Sequence, residues 1–586
     1  MKSIASCVLL ALLALTAAAF GQDDVVTKAM RDELSRSMKE LRISDLDKPY
    51  FISYRIDDNA TTKISATLGQ LTDENLYHGR SLSVNVRVGD FKLDNSNFLQ
   101  LRSSNSFDGD CGCHSTIPLD DDYSQIRRQI WLSTDAAYKQ SASQLASKRS
   151  ALEHRQHAKE LPDFIPETAA TVIEKPRSMK ADVAALENLA RELSAQFRAY
   201  PEFLYSSVDM WVMNDYVRFV DSEGTVVAHP EPIVVLDVRA SLPASDGQPL
   251  RDLFRVFATS PEELQKKALV ARTTDLITRL KALSAAPTLE QYNGPVLFEG
   301  EASAEVMGQV FAPAIVALRP PLSDEPRFEA QFHQVLSQFG GTLSDRLGAR
   351  VLPESFNVTD DPRTGRFHDA PLFGAMEIDD EGSPSREVKI VENGILKSLL
   401  SSRTPTPQTT DTTGSVRGSS AAPSNLFVSL KNPKTNDELH RELLSAAKQR
   451  GYDYGVIVRH TGDGPLSALL RLAATSQGGE VFGGTAIFKL FADGHEELVR
   501  AEIEPIPLTA FKDILAGGQT PTVTSGSFIP FGGPMLARVR GSDSNHNFIV
   551  TSYVVPSLLF DEISLKQPVS SAPGPPTLPS PLAGVR

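Results

Sequence analysis

Glu305 and Gln309 lie one helical turn apart in the segment Ala302–Ile315, and they are the polar pair on which a chemical reading of this chain turns. Val306, Met307, Val310, Phe311 and Ala314 recur at i, i+1, i+4, i+5 and i+8, so one face of the segment is apolar and the opposite face carries the pair. A short apolar run, Pro295–Phe298, precedes it and is stopped by Glu299-Gly300. The spacing predicts a strand leading into an amphipathic helix. Two readings of the pair stand open: a residual site, with Glu305 as a base, or a plain solvent-facing helix surface.

Other clusters carry weaker signals. Asp360-Asp361-Pro362 and Asp379-Asp380-Glu381-Gly382 offer carboxylates to a hard cation, but Asp-Pro and Glu-Gly also begin turns for backbone reasons, and the turn reading is favoured. The Thr/Ser/Gly stretch Thr409–Ser420, with Arg417, lacks the Gly-Lys-Ser/Thr ending of a nucleotide loop and is expected to be a loop. There are eleven histidines and no H-E-x-x-H; His495-Glu496 has no second histidine, and His154 with His157 suits a solvated helix face. Cys111-Gly112-Cys113-His114 falls short of a structural zinc set, so a loop with two thiols or a local disulfide is expected.

The elements that must position these residues can be read from periodicity. Helical stripes run over Thr27–Leu41, Asp122–His157, Ala181–Tyr200 and Ser260–Ala285, the last opened by Ser-Pro-Glu-Glu as a cap. Alternating strands are expected at Pro49–Ile56, Thr62–Leu71, Arg80–Leu93, Phe203–Met213, Tyr216–Val220, Thr225–His229 and Pro232–Ala240. Beyond Gly348 short β-like runs dominate, including Phe356–Asp360, Val388–Val391, Ile395–Ser401, Leu426–Leu430, Tyr454–Arg459, Met535–Val539 and Asn547–Val554, with one helix at Asn436–Arg450. Phe328–Phe339 reads as a further helix or an irregular lid. The fold class is α+β: N-terminal α+β modules over residues 22–160 and 161–290, then residues 291–566 with the Glu305 helix and a β-rich C-terminal domain. Residues 567–586, rich in Pro and Ser, are expected to be disordered.

A chain of 586 residues with 41% hydrophobic and 23% charged residues has ordinary globular composition. Its net charge of −14 is spread along the chain and argues against a nucleic-acid partner. Lys2, the apolar run Val8–Phe20 and the small-x-small Ala19-Phe20-Gly21 read as a signal peptide over residues 1–21, so an exported protein without a membrane span is expected. Cys7 would leave with that segment.

Four stretches together resemble the TldD/PmbA (TldD/TldE) family of metallopeptidase-related proteins: GPVLFEGEASAEVMGQ from Gly294 to Gln309, Val358–Arg403 with its DDEGSP and ENGILK, Thr412–Val428, and Ile549–Leu565. The resemblance covers about half the chain. It implies an N-terminal α+β domain followed by a β-rich C-terminal domain of the TldD/PmbA type. It also implies that catalytic members carry H-E-x-x-x-H on a helix, with a later Cys completing a zinc site and the Glu acting as base on zinc-bound water. Here the histidine positions hold Ala304 and Gln309, Glu305 and Gly308 are kept, and no cysteine follows Cys113. Ala offers no ligand atom and Gln is a poor zinc ligand. No metal ligand is therefore assigned and no cofactor expected, with zinc only at a non-standard site. Glu305 is the relic of the motif glutamate, and Gly308 and Gln309 are the expected substrate-binding positions.

Histidines five apart lie about 140° apart on a regular helix, so the family motif depends on a local distortion; with the metal gone, nothing in the sequence obliges it to persist. The resemblance leads to a non-catalytic TldE-like peptide-binding subunit or pseudoenzyme that takes extended or unfolded peptide and forms a homodimer or a heterodimer with a TldD-like subunit. An active metallopeptidase with a non-standard site and a cell-envelope binding protein are the alternatives.

Overall fold

Two sheets organise the chain, and the strand before the Glu305 helix lies inside the second. The computed structural model describes residues 24–44, 46–99, 114–153, 155, 161–330, 333, 341–418, 420–461, 486–528, 549–568, 578 and 580–584. The first sheet runs in the order His114–Thr116, Gln70–Val88, Pro49–Thr67, Tyr205–Asp221, Val226–Pro243 and Thr171–Ile173, with Pro249–Ala258 also paired to Val226–Pro243. Strands from both sides of residue 160 therefore share one sheet: Pro49–Thr67 pairs with Tyr205–Asp221 along most of its length.

Alternation along these strands gives the sheet one apolar face, which the helices cover. Val25–Glu40 and Tyr123–Glu153 enclose Ile52, Tyr54, Ile56 and Val84 at one end. Val183–Ala195 and Lys266–Ala285 enclose Val208, Met210, Leu236 and Val238 at the other. Asp24 caps the first helix through the amide of Thr27 at 2.8 Å, satisfying one of its orphan donors. Among the described residues no helix is long and apolar enough to cross a membrane.

The second sheet has the order Ile395–Leu396, Val388–Glu392, Phe356–Asp360, Asn425–Leu430, Ile549–Lys566, Gln291–Phe298, Tyr454–His460, Ala486–Phe491 and Glu496–Val499, with Glu502–Ile503 and Ile514–Phe528 paired to Ile549–Lys566. Gln291–Phe298 sits between an antiparallel and a parallel neighbour, and Val296, Leu297 and Phe298 are fully buried. That explains its continuous apolar run, since a strand covered on both faces has no polar side to show.

Several expected elements are longer than periodicity suggests. Pro49–Thr67 and Gln70–Val88 form one long hairpin turned at Leu68-Gly69, both at positive φ. Phe203–Met213 merges with Tyr216–Val220 into Tyr205–Asp221, and Thr225–His229 with Pro232–Ala240 into Val226–Pro243. Pro230 and Pro232 do not break that strand. They fall where its second side lies between Thr171–Ile173, paired to residues 226–228, and Pro249–Ala258, paired to residues 234–243, so no ladder donor is lost. Pro249–Ala258 and Ile514–Phe528 are strands that the sequence reading omitted. Ser260 opens only a short 3₁₀ turn without a side-chain cap, and the helix proper starts at Lys266. The signal segment, Cys111, Cys113, His154, His157, the Met535–Val539 run, and most of Phe328–Phe339 and of residues 567–586 lie outside the described residues.

Arg403 joins the two sheets' domains from inside. Its fully buried guanidinium donates to the carbonyl of Ile165 from Nε (2.9 Å) and Nη2 (2.8 Å), pairs with Glu223, and lies 4.0 Å from the ring centre of Phe164. Removing one partner of a buried pair leaves the other uncompensated. Arg403→Met is therefore expected to lower stability by about 3–5 kcal/mol in urea denaturation, and Glu223→Gln, which keeps an acceptor, by less.

Candidate functional site

Gly300 links the strand Gln291–Phe298 to the Glu305 helix with φ 58° and ψ −125°, a conformation open to glycine and strained for other residues. The helix begins as α over Glu301–Val306, widens to a π turn over Met307–Phe311, and returns to α at Ala312–Ala314. The amide of Ala312 donates to Met307, five residues back. So the distortion persists although the histidines are gone. Two features of the chain account for it. Pro313 has no N–H to give the carbonyl of Gln309 and its ring crowds that carbonyl, which opens the turn. A Cβ at Gly308 would stand 2.9 Å from the Tyr553 ring, so only glycine lets the widened turn settle against that side chain. Phe311 then anchors the helix, with its ring centre 5.5 Å from Phe511, which in turn packs 5.2 Å from Phe560.

Glu305 is not on an open helix face; its side chain is 16% exposed and every carboxylate oxygen is engaged. Oε1 lies 2.8 Å from Nδ1 of His460, and Oε2 accepts from the amide (2.7 Å) and hydroxyl (2.9 Å) of Thr461. His460 ends the strand Tyr454–His460, where a register shift against Ala486–Phe491 falls between Val458 and His460. Such a bulge re-aims the side chain that follows it. The other imidazole nitrogen, Nε2, is 3.1 Å from Oδ1 of Asp252, an ion-pair contact whose angle falls short of a hydrogen bond. Asp252 belongs to the first sheet, and its Oδ2 accepts from Nε of Arg279 at 2.6 Å. A chain of alternating charge thus runs Arg279–Asp252–His460–Glu305 from one sheet's helix to the other's.

Protonation follows from these contacts. Burial alone would lower the His460 pKa, but Glu305 and Asp252 outweigh it and hold the imidazolium well above its ordinary 6.5. Burial would raise Glu305, but His460 and Thr461 hold it below 4.5. Asp252 is likewise kept below its ordinary value against burial by His460 and Arg279. Next door, Glu299 accepts from Nε2 of His440 (2.6 Å) and Nε of Arg459 (3.0 Å), and Arg459 also grips Glu496. At the end of the strand Phe356–Asp360, Asp360 is fully buried and pushed up to about 7 by that burial, despite two hydrogen bonds from Ser424.

The same fold recurs among solved structures. A protein described as a modulator of a DNA gyrase from Thermotoga maritima has TM-score 0.57 and 16% identity, over 92% of this chain and 99% of that one. TldE from Thermococcus kodakarensis has TM-score 0.50 and 12% identity, over 92% and 99%. A further protein described as a modulator of DNA gyrase, from Bacteroides thetaiotaomicron, has TM-score 0.52 and 12% identity, over 92% and 98%. At such identities the likeness is one of fold. No curated protein sequence matches the chain. Residues 291–464 match the family profile of the PmbA/TldA metallopeptidase C-terminal domain. Over residues 291–464 the chain is similar to the TldD/PmbA family.

Within that family's motif helix, the residues present do not fit a zinc ion at the motif positions. Ala304 is 1% exposed in the core and has no donor atom; Gln309 is half-buried and already engaged. Glu301, Glu305 and His460 bring three ligand atoms within 4.8 Å of one another, which is the one such group among the described residues. Within that group Oε1 of Glu305 lies 2.8 Å from Nδ1 of His460, so the two side chains are paired with each other. Gly308 and Gln309 remain beside the helix turn, with Gly308 committed to Tyr553.

The acidic turns are turns. Asp379 Oδ1 accepts from the amides of Glu381 and Ser383, and Asp361 from the amide of Arg363. Arg417 donates to the carbonyl of Val550 at 2.7 Å, a tie within the fold. His460 and Thr461 were missed by the sequence reading because they follow Glu305 far along the chain, and Asp252 because it reaches His460 from the other sheet; no short spacing encodes either. The usable signal is a lone histidine closing a buried strand.

The linkage has a definite sign. His460 is raised above its unfolded value, so its contribution is full below about pH 6.5 and is lost as pH rises through the folded pKa; Glu305 is depressed, so its contribution is full above about 4.5 and is lost as pH falls. Asp252, Arg279 and Glu301 are the other charges near this pair. Denaturant unfolding from about pH 6 to about pH 9 is expected to show a steeper loss of stability in the native chain than in His460→Gln, which lacks that proton. Equal slopes would remove His460 from the account.

Proposed function

We propose that this chain is a non-catalytic, TldE-like member of the TldD/PmbA family that holds extended peptide and serves a zinc-bearing relative. The observation that carries the reading is the commitment of Glu305 to His460 and Thr461. A general base needs a pKa near the working pH and access to water, and Glu305 has been moved away from both. The fold likeness to TldE agrees with this reading. Strand addition is the expected mode for an extended peptide. Among the described residues, the outer side of Gln70–Gly79 has no strand neighbour, since His114–Thr116 pairs only with residues 81–83. The signal-like segment at Lys2–Gly21 further supports action outside the cytoplasm.

A second reading, an active metallopeptidase, draws on the Glu301–Glu305–His460 group. One experiment separates the two. The purified chain is analysed for bound metal and assayed on fluorogenic peptides, with and without added zinc, beside Glu305→Gln. Substoichiometric metal and no hydrolysis in either chain are expected. Stoichiometric zinc together with hydrolysis that Glu305→Gln abolishes would overturn the non-catalytic reading.

A further inference from the structure

Away from the motif helix, the tip of the first sheet holds a groove of about 400 Å³ on the face that carries no helices. Its floor is polar and already satisfied. Ser65 and Ser207 donate to Asp209 at 2.7 and 2.9 Å, and Lys63 pairs with Asp73 at 2.7 Å. Its wall is apolar and aromatic: Phe203 is braced by Phe197 and Tyr200, with ring centres 5.5 and 6.3 Å away. Leu204 and Tyr205, also lining it, remain 54% and 37% exposed. A site whose polar groups are internally paired and whose wall is apolar asks for an apolar side chain rather than a charged ligand.

One residue from far along the chain lines the groove: Leu582. It belongs to the short 3₁₀ turn Pro581–Gly584, and its amide donates to the hydroxyl of Ser580 at 3.3 Å, a local bond that sets the turn. Of the two leucines in this Pro/Ser-rich segment, Leu578 is 79% exposed whereas Leu582 is partly covered. Pro581 fixes one backbone torsion before the anchoring residue, which reduces the ordering cost of docking. The segment is covalently tied to the strand Ile549–Lys566 of the second sheet, so Leu582 is offered to the groove at a high effective concentration and a one-residue anchor suffices.

We propose that this groove is a docking site for an extended, proline-flanked apolar segment, and that its resident occupant is the chain's own Ser580–Gly584. The resident segment ties the second domain back to the tip of the first and competes with any other extended chain for the same wall. This site is separate from the Glu305 helix and does not depend on the reading of that helix.

The test uses the full-length chain with a fluorescent synthetic peptide of the sequence Ser580–Arg586. Leu582→Asp is expected to release the resident segment, so the peptide binds this variant about tenfold or more tighter than the native chain, where the segment competes. Adding Tyr205→Ser and Leu204→Ser to Leu582→Asp is expected to abolish peptide binding. Backbone hydrogen exchange at residues 65–73 and 203–207 is expected to quicken in Leu582→Asp and to stay unchanged in Leu578→Asp. Equal peptide affinity for the native and Leu582→Asp chains, unchanged exchange in Leu582→Asp, or an equal effect of Leu578→Asp would each overturn the proposal.

Discussion

The alternation of charge through Arg279, Asp252, His460 and Glu305 is the constraint around which the second domain's helix is set. Each of these groups would be expensive to bury alone, because taking a single ion out of water costs several kcal/mol on the order-of-magnitude scale. Placed in sequence, two cations and two anions offset one another, and the Thr461 amide and hydroxyl satisfy the Glu305 oxygen left over. The arrangement also decides chemistry. A carboxylate that is the end member of a neutral chain is held ionised and fully hydrogen-bonded, and the stronger that hold, the worse a proton acceptor it becomes. Through His460, Glu305 is part of a fastening between two sheets.

The backbone shape of that helix carries a separate lesson. The π turn over Met307–Phe311 is held by local chemistry: a proline that cannot donate at 313, a glycine at 308 under the Tyr553 ring, and Phe311 in an aromatic cluster. None of these depends on a metal. The widened turn is therefore compatible both with a helix that holds zinc and with one that does not, and its presence discriminates neither. The discriminating features are side chains, Ala304 in the core and Glu305 on His460.

Much of the architecture was legible in the sequence, because burial imposes periodicity. The helices Val25–Glu40, Tyr123–Glu153 and Asn436–Gln449 follow their apolar stripes closely, and the strand-to-helix passage at Glu299-Gly300 is where composition breaks. Strand lengths were less legible. Pro230 and Pro232 look like breaks until it is known that the side they would disable has no strand neighbour there among the described residues. The π turn was readable in part, since Pro313 gives it a cause, but the sequence reading tied the distortion to the metal alone. The site itself was hardly legible. Glu305 was singled out from its helix, yet its partners His460 and Asp252 arrive from another strand and another sheet, and their roles arise only when the two domains meet.

That division of labour explains why the site and the fold cannot be altered independently. The two domains are also joined by Arg403 on Ile165 and Glu223, by Arg55 with Asp380, by Arg500 with Asp246 and by Arg155 with Glu329. His460 sits among these long-range ties as one more, an imidazole whose carboxylate partners hold its pKa well above the ordinary value. Rebuilding a metal centre on the motif helix would need more than histidines at two positions. Ala304 is enclosed by core, so a larger side chain must displace its neighbours, and Glu305 must first be released from an imidazolium that Asp252 also holds. Releasing it leaves Asp252 and Arg279 to rebalance across the domain boundary. With the carboxylate tied into the joint through His460, chemistry at that position competes directly with the packing of the two halves.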